Sequence, residues 1–500
     1  MGRAIIAALS GSGLVHQDIL QLMSNSRQDL HLSGTPPNMK KDIFKREDTS
    51  MSNTSQRSLP QKQIRNMQNM VRTRITPFGR VMIILLLALG AINFADKAVL
   101  GLAAVPIIKE LHLSPVQYGL VSGSLFWLFS LSSVLVTAWS DRIGTKKVLA
   151  LLATTWAIVQ FATMFVFSFP ALLLTRVVLG AGEGPSYGTS VAAATPWLPA
   201  DRRAFGLAIV TFGSYIGPAL FAPPLTFLIV VVGWRSAFAL LGGIGLLWVV
   251  IWLLVGREYS EKSSLAGDET YVGHPWTRWS QILPIIFSRT VIFSTLAGFS
   301  AYWASALYLS WNPTYLVTVR HLKLSDPLYL AGITLPYLVG AIALIAFGAL
   351  ADRVFRRTGS SRRSYVYLVT ALLMVSALCL FLAVSVPSAL GAVFFFTLAP
   401  IGVVIPMVST IITGVAPEAY RGAVLGIVVA VLTLPGIIAP LVTGLLIQSS
   451  GKNVVAGFHN AYLLASLLLL VSGVAFLVFA RPDDHQLEEK RSIGVVGLHK

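Results

Sequence analysis

Four charged side chains interrupt the long apolar stretches of this sequence. Asp96 and Lys97 are adjacent in one stretch, and Arg176 and Glu183 lie seven residues apart in another. A charge at the centre of a bilayer costs roughly 2.5–3.5 kcal/mol on insertion scales, so such residues are rare and usually functional. Two acids and two bases sum to zero charge, which indicates pairing. The alternative is a static ion-pair network that only orients two helices.

The chemistry open to these residues is proton transfer and anion binding. A buried carboxylate that moves between a position beside a cation and a position without one can release and take up a proton. Asp96 and Glu183 are the candidates for this role, while Lys97 and Arg176 would attract an anionic substrate or the deprotonated acids. Asn93 lies one helical turn from Lys97. It would either hydrogen-bond the substrate or pack against a neighbouring helix.

The composition indicates the elements that must position these residues. Of 500 residues, 55% are hydrophobic and 12% are charged, whereas soluble chains carry about 25% charged residues. Membrane spans take roughly 20 apolar residues each, and they must be helical because hydrocarbon cannot satisfy free backbone groups. A net charge of +17 is typical of nucleic-acid binders. Basic residues gathered in cytoplasmic loops explain it better, so we predict a lipid bilayer and no nucleic acid as partner.

We predict an all-α membrane protein with twelve transmembrane helices in two six-helix bundles related by pseudo-two-fold symmetry. The predicted spans are 81–104, 117–138, 148–167, 171–195, 206–231, 236–255, 291–316, 328–350, 365–384, 388–415, 422–447 and 461–480. Asp141-Arg142 after the second span recurs 211 residues later as Asp352-Arg353 after the eighth. This recurrence indicates an internal duplication, which is common in secondary transporters.

The domain organisation follows from the polar segments between these spans. We predict a disordered cytoplasmic tail over 1–79, bundles over 80–255 and 290–481, a cytoplasmic linker over 256–289 and a cytoplasmic tail over 482–500. Met51, Met67 and Met70 are alternative translation starts. Eleven Lys and Arg residues in one set of loops against five in the other place both termini in the cytoplasm. The compact loops suit a bacterial inner membrane.

No pattern in the sequence points to catalysis. The histidines lack metal-ligand spacing, and neither a nucleophile elbow nor a nucleotide-binding loop is present. The glycine-rich stretch 180–184 lies within an apolar helix, where small residues admit a neighbouring helix. We therefore predict a monomeric non-enzyme without cofactor, metal or catalytic residues.

The loop over 141–147 resembles the Gly-x-x-x-Asp-Arg-x-Gly-Arg-Arg pattern of the major facilitator superfamily. Thr137 and Thr145 depart from that pattern, and the second half retains Gly348 and Arg356. The resemblance implies a gating loop that stabilises the outward-facing state. Its residues here are Asp141, Arg142, Gly144, Asp352 and Arg353. The alternative is that these charges only set topology.

Other stretches resemble the anion:cation symporter family within this superfamily, namely 93–97, 110–111, 176–183, 197–199, 233–235 and 311–316. The resemblance implies proton- or sodium-coupled import of organic anions, with coupling protons on Asp96 and Glu183. It also implies substrate contact at Lys97 and a supporting pair role for Arg176. The family usually has Arg where this chain has Lys97, and Lys lacks the bidentate fork that suits a carboxylate.

The second half offers few polar groups for a polyhydroxylated sugar. Its candidates for substrate contact are Tyr302 and Trp303, with Tyr308, Tyr337 and Thr397 behind them, and aromatic residues also serve packing. These residues favour a carboxylate with an apolar or aromatic body.

We therefore predict proton-coupled uptake of a small organic anion by alternating access, with Na⁺ open as an alternative coupling ion. Two other readings stay open. The first is a proton-driven efflux antiporter, because Gly213-x-x-x-Gly217-Pro218 partly resembles a drug-antiporter pattern. The second is a membrane sensor derived from a transporter.

Overall fold

The computed structural model describes residues 75–199, 203–258, 279–400, 402–417 and 420–483. The predicted tails over 1–79 and 482–500 and the linker over 256–289 fall mainly outside these residues, as does the side chain of Asp141. Predictions for those parts of the chain stay predictions.

The first half contains nine helices within the described residues. They are α1 (Pro77–Leu102), α2 (Ala104–Glu110), α3 (Pro115–Ser124), α4 (Phe129–Ile143), α5 (Thr145–Thr163), α6 (Phe169–Glu183), α7 (Ser186–Ala194), α8 (Arg203–Val231) and α9 (Trp234–Val255). Polar side chains cap the N-termini of several of these helices. The Thr76 side chain accepts a hydrogen bond from the Gly79 amide, and Ser114 forms a capping box with Gln117.

The second half is also helical in its described part. Its helices are α10 (Trp279–Ile286), α11 (Arg289–Thr318), α12 (Pro327–Thr358), a π-helical turn (Arg362–Val366), α13 (Tyr367–Ser385), α14 (Ala389–Leu398), α15 (Val404–Val415), α16 (Arg421–Ser449) and α17 (Val454–Phe479). Among the described residues, eight helical segments are individually long and apolar enough to cross a membrane. They correspond to eight of the twelve predicted spans.

Three spans that we predicted as continuous are instead pairs of shorter helices: α3 with α4, α6 with α7, and α14 with α15. Two breaks have a local cause. Pro185, which has no backbone N–H to donate, follows Gly184 at the first of them. Pro400 and Gly402, whose φ is 85°, interrupt the other. The break between α3 and α4 contains no proline.

Packing against α6 accompanies the break between α3 and α4. A Cβ added at Gly180 would collide with the backbone carbonyl of Leu125, and one at Gly184 would collide with that of Phe129. The glycines of α6 therefore serve close helix packing, as predicted. The helices they admit are α3 and α4.

Helix contacts repeat between the two halves. Helix α1 packs on α8 as α11 packs on α16, and α5 packs on α9 as α13 packs on α17. Across the halves, α3 contacts α16 while α8 contacts α12, and α1 contacts α11. Each contact in one half therefore has an equivalent in the other, and the contacts between the halves are equivalent in the same way. This equivalence is expected for a duplicated six-helix unit.

We name the two ends of the helices by their charges. The basic end carries Arg142, Lys146, Lys147, Arg353, Arg356 and Arg357, and the opposite end carries Glu110, Arg235 and Arg320. At the opposite end the halves interlock. A Cβ on Gly119 would lie 2.5 Å from the carbonyl oxygen of Pro440, and the Tyr118 hydroxyl donates to the backbone carbonyl of Ser310 at 3.0 Å.

Open space borders helices at both ends. Among the described residues, a Cβ at Gly348 or Gly426 near the basic end, or at Gly233 or Gly451 at the opposite end, would meet no atom within 4 Å. Tyr187 in α7 is 58% exposed. Among the described residues, the contacts between the halves lie mainly in the middle and at the opposite end. The contacts of Tyr118 and Gly119 thus hold the two halves together at the opposite end.

Candidate functional site

A buried ion pair joins α1 to α6. The ammonium of Lys97 lies 2.5 Å from Glu183 Oε2, with side-chain exposures of 6% and 0%. The same ammonium donates to Asn93 Oδ1 at 2.5 Å. The ring centres of Phe94 and Phe129 lie 4.8 and 5.6 Å from it, within cation–π range. Lys97 is therefore surrounded by one carboxylate, one amide and two aromatic rings.

Asp96 and Arg176 are linked through a residue of α5. Gln160 Nε2 donates to Asp96 Oδ1 at 2.6 Å, and Arg176 Nη2 donates to Gln160 Oε1 at 3.4 Å. Arg176 Nη2 also donates to Thr163 Oγ1 at 3.1 Å. Its guanidinium carbon lies 5.1 Å from the ring centre of Phe238. The four charges predicted to pair thus form one direct pair and one bridged pair.

Several buried polar atoms of this cluster have no hydrogen-bond partner within the described part of the chain. They are Arg176 Nε and Nη1, Glu183 Oε1 and Asn93 Nδ2. Unpaired groups of this kind are costly in a protein interior, so they often mark a place for water or ligand. The cluster therefore has hydrogen-bonding capacity that the protein alone does not use.

A cavity adjoins the cluster between the two halves. Its water-accessible volume is about 30 Å³, enough for one or two water molecules. It is lined by Lys97, Leu100, Gly101, Ser122, Leu125, Phe126, Arg176, Ala306, Leu309, Ser310, Gly436 and Pro440. Among the described residues, the charged side chains that line it are Lys97 and Arg176. Such a cavity favours an anion.

The predicted second-half contacts divide into two groups. Tyr302 packs edge-on against Phe126, with ring centres 6.0 Å apart, and Phe126 lines the larger cavity. Trp303 is instead buried to 6% exposure in the core, where it packs against Phe299. Tyr302 therefore belongs to the surroundings of the cluster, whereas Trp303 packs among core side chains.

Tyr308 and Tyr337 line a second, smaller cavity between the halves. Their ring centres are 5.9 Å apart, and the cavity measures about 10 Å³. The Thr397 hydroxyl donates to its own helix, at the carbonyl of Val393. None of these three residues lines the larger cavity beside Lys97.

The predicted gating loop in the first half lies where α4 meets α5. Gly144 has a φ of 97°, which favours glycine. Glu258, three residues past α9, accepts hydrogen bonds from the Thr145 amide and hydroxyl at 2.6 and 3.4 Å. This carboxylate caps the N-terminus of α5, while the Arg142 side chain is exposed.

The second half uses an equivalent device. Asp483, after α17, accepts from the Ser361 amide at 2.7 Å, just before α13. Asp352 accepts from the Tyr365 hydroxyl at 3.0 Å, and Arg353 is exposed. In each half, a carboxylate that follows the last helix (α9 or α17) therefore binds backbone amides at or just before the start of the helix of the third span (α5 or α13). A negative charge at this position also interacts favourably with the positive end of the helix dipole.

Sequence reasoning missed three residues of the site. Gln160 and Thr163 hold Arg176, and Phe129 lies beside Lys97. Gln160 had a usable signal, because it is an amide in the apolar stretch 148–167. Phe129 had none, since aromatic residues are common throughout the spans.

The arrangement lets an anion compete with a carboxylate for one buried cation. An anion that reaches Lys97 competes with Glu183 for the charge of the same ammonium. A buried carboxylate without its cation is costly unless it takes a proton. The geometry can therefore exchange an ion pair for an anion and a proton.

Comparisons with known proteins agree with this fold. Residues 86–361 and 357–496 match the Major Facilitator Superfamily. The chain is 29% identical to the hexuronate transporter of Bacillus subtilis (strain 168), covering 80% of this chain and 94% of that one. It is 27% identical to a probable sulfoacetate transporter of Cupriavidus necator, covering 77% and 90%. A probable galactarate/D-glucarate transporter of Escherichia coli (strain K12) is 24% identical over 79% and 92%.

Solved structures with the same fold include transporters at low sequence identity. A bacterial homologue of the human lysosomal transporter Spinster, inward-facing and unoccupied, gives a TM-score of 0.69 at 19% identity, covering 81% of this chain and 98% of that one. A D-xylose–proton symporter gives 0.64 at 18%, covering 81% and 99%. The predicted fold class and the prediction that the chain is a transporter and not an enzyme are confirmed. The chain belongs to the Major Facilitator Superfamily.

Proposed function

We propose that the protein imports a small organic anion, in particular a carboxylate, together with protons by alternating access. The observation that carries this proposal is the ion pair between Lys97 and the fully buried Glu183. The relatives support the substrate class, because hexuronate, sulfoacetate, galactarate and glucarate are all organic anions.

Coupling follows from competition at Lys97. In the structure Glu183 neutralises the Lys97 ammonium. An incoming carboxylate takes that place, and Glu183 then accepts a proton because its side chain is fully buried. When the anion leaves, Glu183 returns to Lys97 and releases the proton. Anion and proton therefore enter and leave together.

Charge balance sets the stoichiometry. The buried quartet of Asp96, Lys97, Arg176 and Glu183 carries no net charge when all four are ionised. A monoanion with one proton keeps that sum at zero, whereas a monoanion alone would leave one buried negative charge. A dianion would need a second proton, for which Asp96 is the acid. We therefore propose one proton for each negative charge carried.

The sidedness follows from the loop charges. We propose that the basic end and both termini face the cytoplasm of a cell with this protein in its (inner) membrane. We infer that the structure, with its halves interlocked at the opposite end, is the cytoplasm-facing state, accessible from the basic end. Closure there and opening at the opposite end would complete the transport cycle. The working unit that we propose is a monomer in the bilayer, with no cofactor.

The test is gradient-driven uptake by purified protein in liposomes. Glucuronate, glucarate and benzoate serve as radiolabelled probes, with uptake by protein-free liposomes subtracted. We expect an inward proton gradient to drive accumulation by the unmodified protein. Glu183→Gln should lose this accumulation but keep exchange of labelled for unlabelled anion, because Gln resembles a permanently protonated Glu.

A matched control makes the same chemical change elsewhere. Glu110→Gln alters a half-exposed carboxylate at the opposite end, where it pairs with Arg235, and should accumulate the anion normally. Replacing Na⁺ by K⁺ should have no effect. Undiminished accumulation by Glu183→Gln would contradict the proton role, and a strict need for Na⁺ would contradict the choice of ion.

A further inference from the structure

The space between the two halves has one polar wall and one apolar wall. The first half contributes the polar residues Lys97, Arg176 and Ser122 to the larger cavity, beside its apolar lining residues Leu100, Gly101, Leu125 and Phe126. The second half contributes Ala306, Leu309, Ser310, Gly436 and Pro440. All of the charge therefore lies on one side.

Three hydroxyls of the second half already have partners within the protein. Ser310 Oγ donates to the carbonyl of Ala306 at 2.7 Å within its own helix. Thr433 Oγ1, nearby in α16, donates to Ala430 and bonds Ser130 Oγ at 2.9 Å. In the smaller cavity, the Tyr308 hydroxyl donates to Gly332 at 2.6 Å. Asn312 Nδ2 has no partner, but that side chain is fully buried, in the smaller cavity.

An aromatic path leads from Lys97 to the second half. The Lys97 ammonium lies over Phe94 and Phe129, the Phe129 and Phe126 ring centres are 5.5 Å apart, and Phe126 meets Tyr302 edge-on. We call these four rings the aromatic path. Phe94 precedes Lys97 in α1, and Tyr302 precedes Ala306 in α11. Because both helices begin at the basic end, the path lies on the side of the cavity that faces the basic end.

The two walls discriminate between classes of anion. Each sugar hydroxyl that enters a dry site without a partner costs about 1–3 kcal/mol. An aromatic ring in edge or offset contact with other rings gains about 0.5–1.5 kcal/mol beyond the area it buries. The second wall thus disfavours a polyhydroxylated body, and the path favours a ring.

We infer that the transported anion has a carboxylate head and an aromatic body, in contrast to the sugar acids named for two of the relatives. The carboxylate meets Lys97 and Asn93, and the ring lies along the aromatic path toward Tyr302. This inference rests on the proposed function and names its substrate class.

The first experiment compares three monoanions that share a carboxylate. Binding to the purified protein is measured by titration calorimetry with benzoate, cyclohexanecarboxylate and glucuronate. We expect benzoate to bind at least tenfold more tightly than glucuronate, and more tightly than cyclohexanecarboxylate. Equal affinity for benzoate and cyclohexanecarboxylate would overturn the aromatic assignment.

The second experiment changes one ring of the path. Tyr302→Leu removes the ring and should weaken benzoate binding about 2- to 10-fold, while glucuronate binding stays constant. Tyr302→Phe keeps the ring and should preserve the preference for benzoate over cyclohexanecarboxylate. Phe394→Leu, a matched change of a 56% exposed ring on α14, should bind all three anions as the unmodified protein does. Equal loss for all anions in Tyr302→Leu would overturn the ring contact.

The outcomes separate this inference from the function on which it rests. If glucuronate binds more tightly than benzoate and accumulates under a proton gradient, the aromatic body is wrong and the symporter stands. If none of these anions binds or accumulates, both fail.

Discussion

Replacing Gln160 by Leu tests whether one neutral side chain holds the buried charges in place. Gln160 is fully buried, donates to Asp96 at 2.6 Å and accepts from Arg176 at 3.4 Å. A hydrogen bond to a charged group contributes about 1.5–3 kcal/mol, and the longer contact adds little. We expect Gln160→Leu to cost about 2–3 kcal/mol, chiefly because the Asp96 carboxylate loses its donor.

The chain contains its own probe for this measurement. Cys379 is the single cysteine and is buried, so a thiol-reactive fluorescent dye reports unfolding. For cooperative unfolding of the helical unit, the expected loss lowers Tm by about 3–4 °C. Asp96→Asn provides the partner for a double-mutant cycle. The two substitutions together should cost at least about 1.5 kcal/mol less than the sum of their separate effects.

The reasoning is refuted if the effects of Gln160→Leu and Asp96→Asn on stability simply add. If Gln160→Leu leaves Tm unchanged, or if its effect is the same with and without the Asp96 carboxylate, then Gln160 does not hold Asp96. The bridged pair would then be an accident of packing.

Two further predictions concern the anion site and helix packing. Lys97→Ala should weaken benzoate binding, measured by calorimetry, about 10- to 100-fold because a charge-assisted contact is lost. Lys97→Arg should retain benzoate binding, since the family pattern has Arg at this position. An unchanged affinity in Lys97→Ala would show that Lys97 does not bind the anion. Gly180→Val should abolish or strongly lower the folded yield because the valine side chain would collide with the Leu125 carbonyl. Gly348→Ala is the control, because a Cβ there faces open space. Its Tm in the dye assay should equal or slightly exceed that of the unmodified protein. A fully stable Gly180→Val would show that α6 can move away from α3.

Apolar runs and rare charges were enough to predict most of the fold. Each span is a long apolar segment, and the recurrence of Asp141-Arg142 as Asp352-Arg353 indicated the duplication that the helix contacts display. The helix breaks at Pro185 and Pro400 could have been predicted from the prolines themselves, but a search for continuous apolar spans does not consider them. The break before Phe129 carried no such signal in its own residues, and the feature that accompanies it is the close approach of glycines from another helix.

The site was predictable in its residue types but not in its pairing. Rarity of intramembrane charge singled out Asp96, Lys97, Arg176 and Glu183. Periodicity could not show that Lys97 meets Glu183 while Asp96 and Arg176 meet through Gln160. Pairing depends on how helices rotate against one another, and that rotation is set by packing across the bundle.

The substrate-contact predictions illustrate the same limit. Tyr302 and Trp303 are neighbours in sequence, but a helix turns by about 100° between consecutive residues. One ring therefore approaches Phe126 beside the charged cluster, while the other packs on Phe299 in the core. Composition alone gives no means of choosing between them.

The number of protons taken up for each anion bound tests the coupling most directly. Titrating the purified protein with benzoate at pH 7, in two buffers of different ionisation enthalpy, yields this number from calorimetry. The competition between anion and Glu183 for Lys97 predicts uptake of about one proton per monoanion, as buried charge balance requires, and none in Glu183→Gln. Anion binding without proton uptake, or equal uptake in Glu183→Gln, would contradict it.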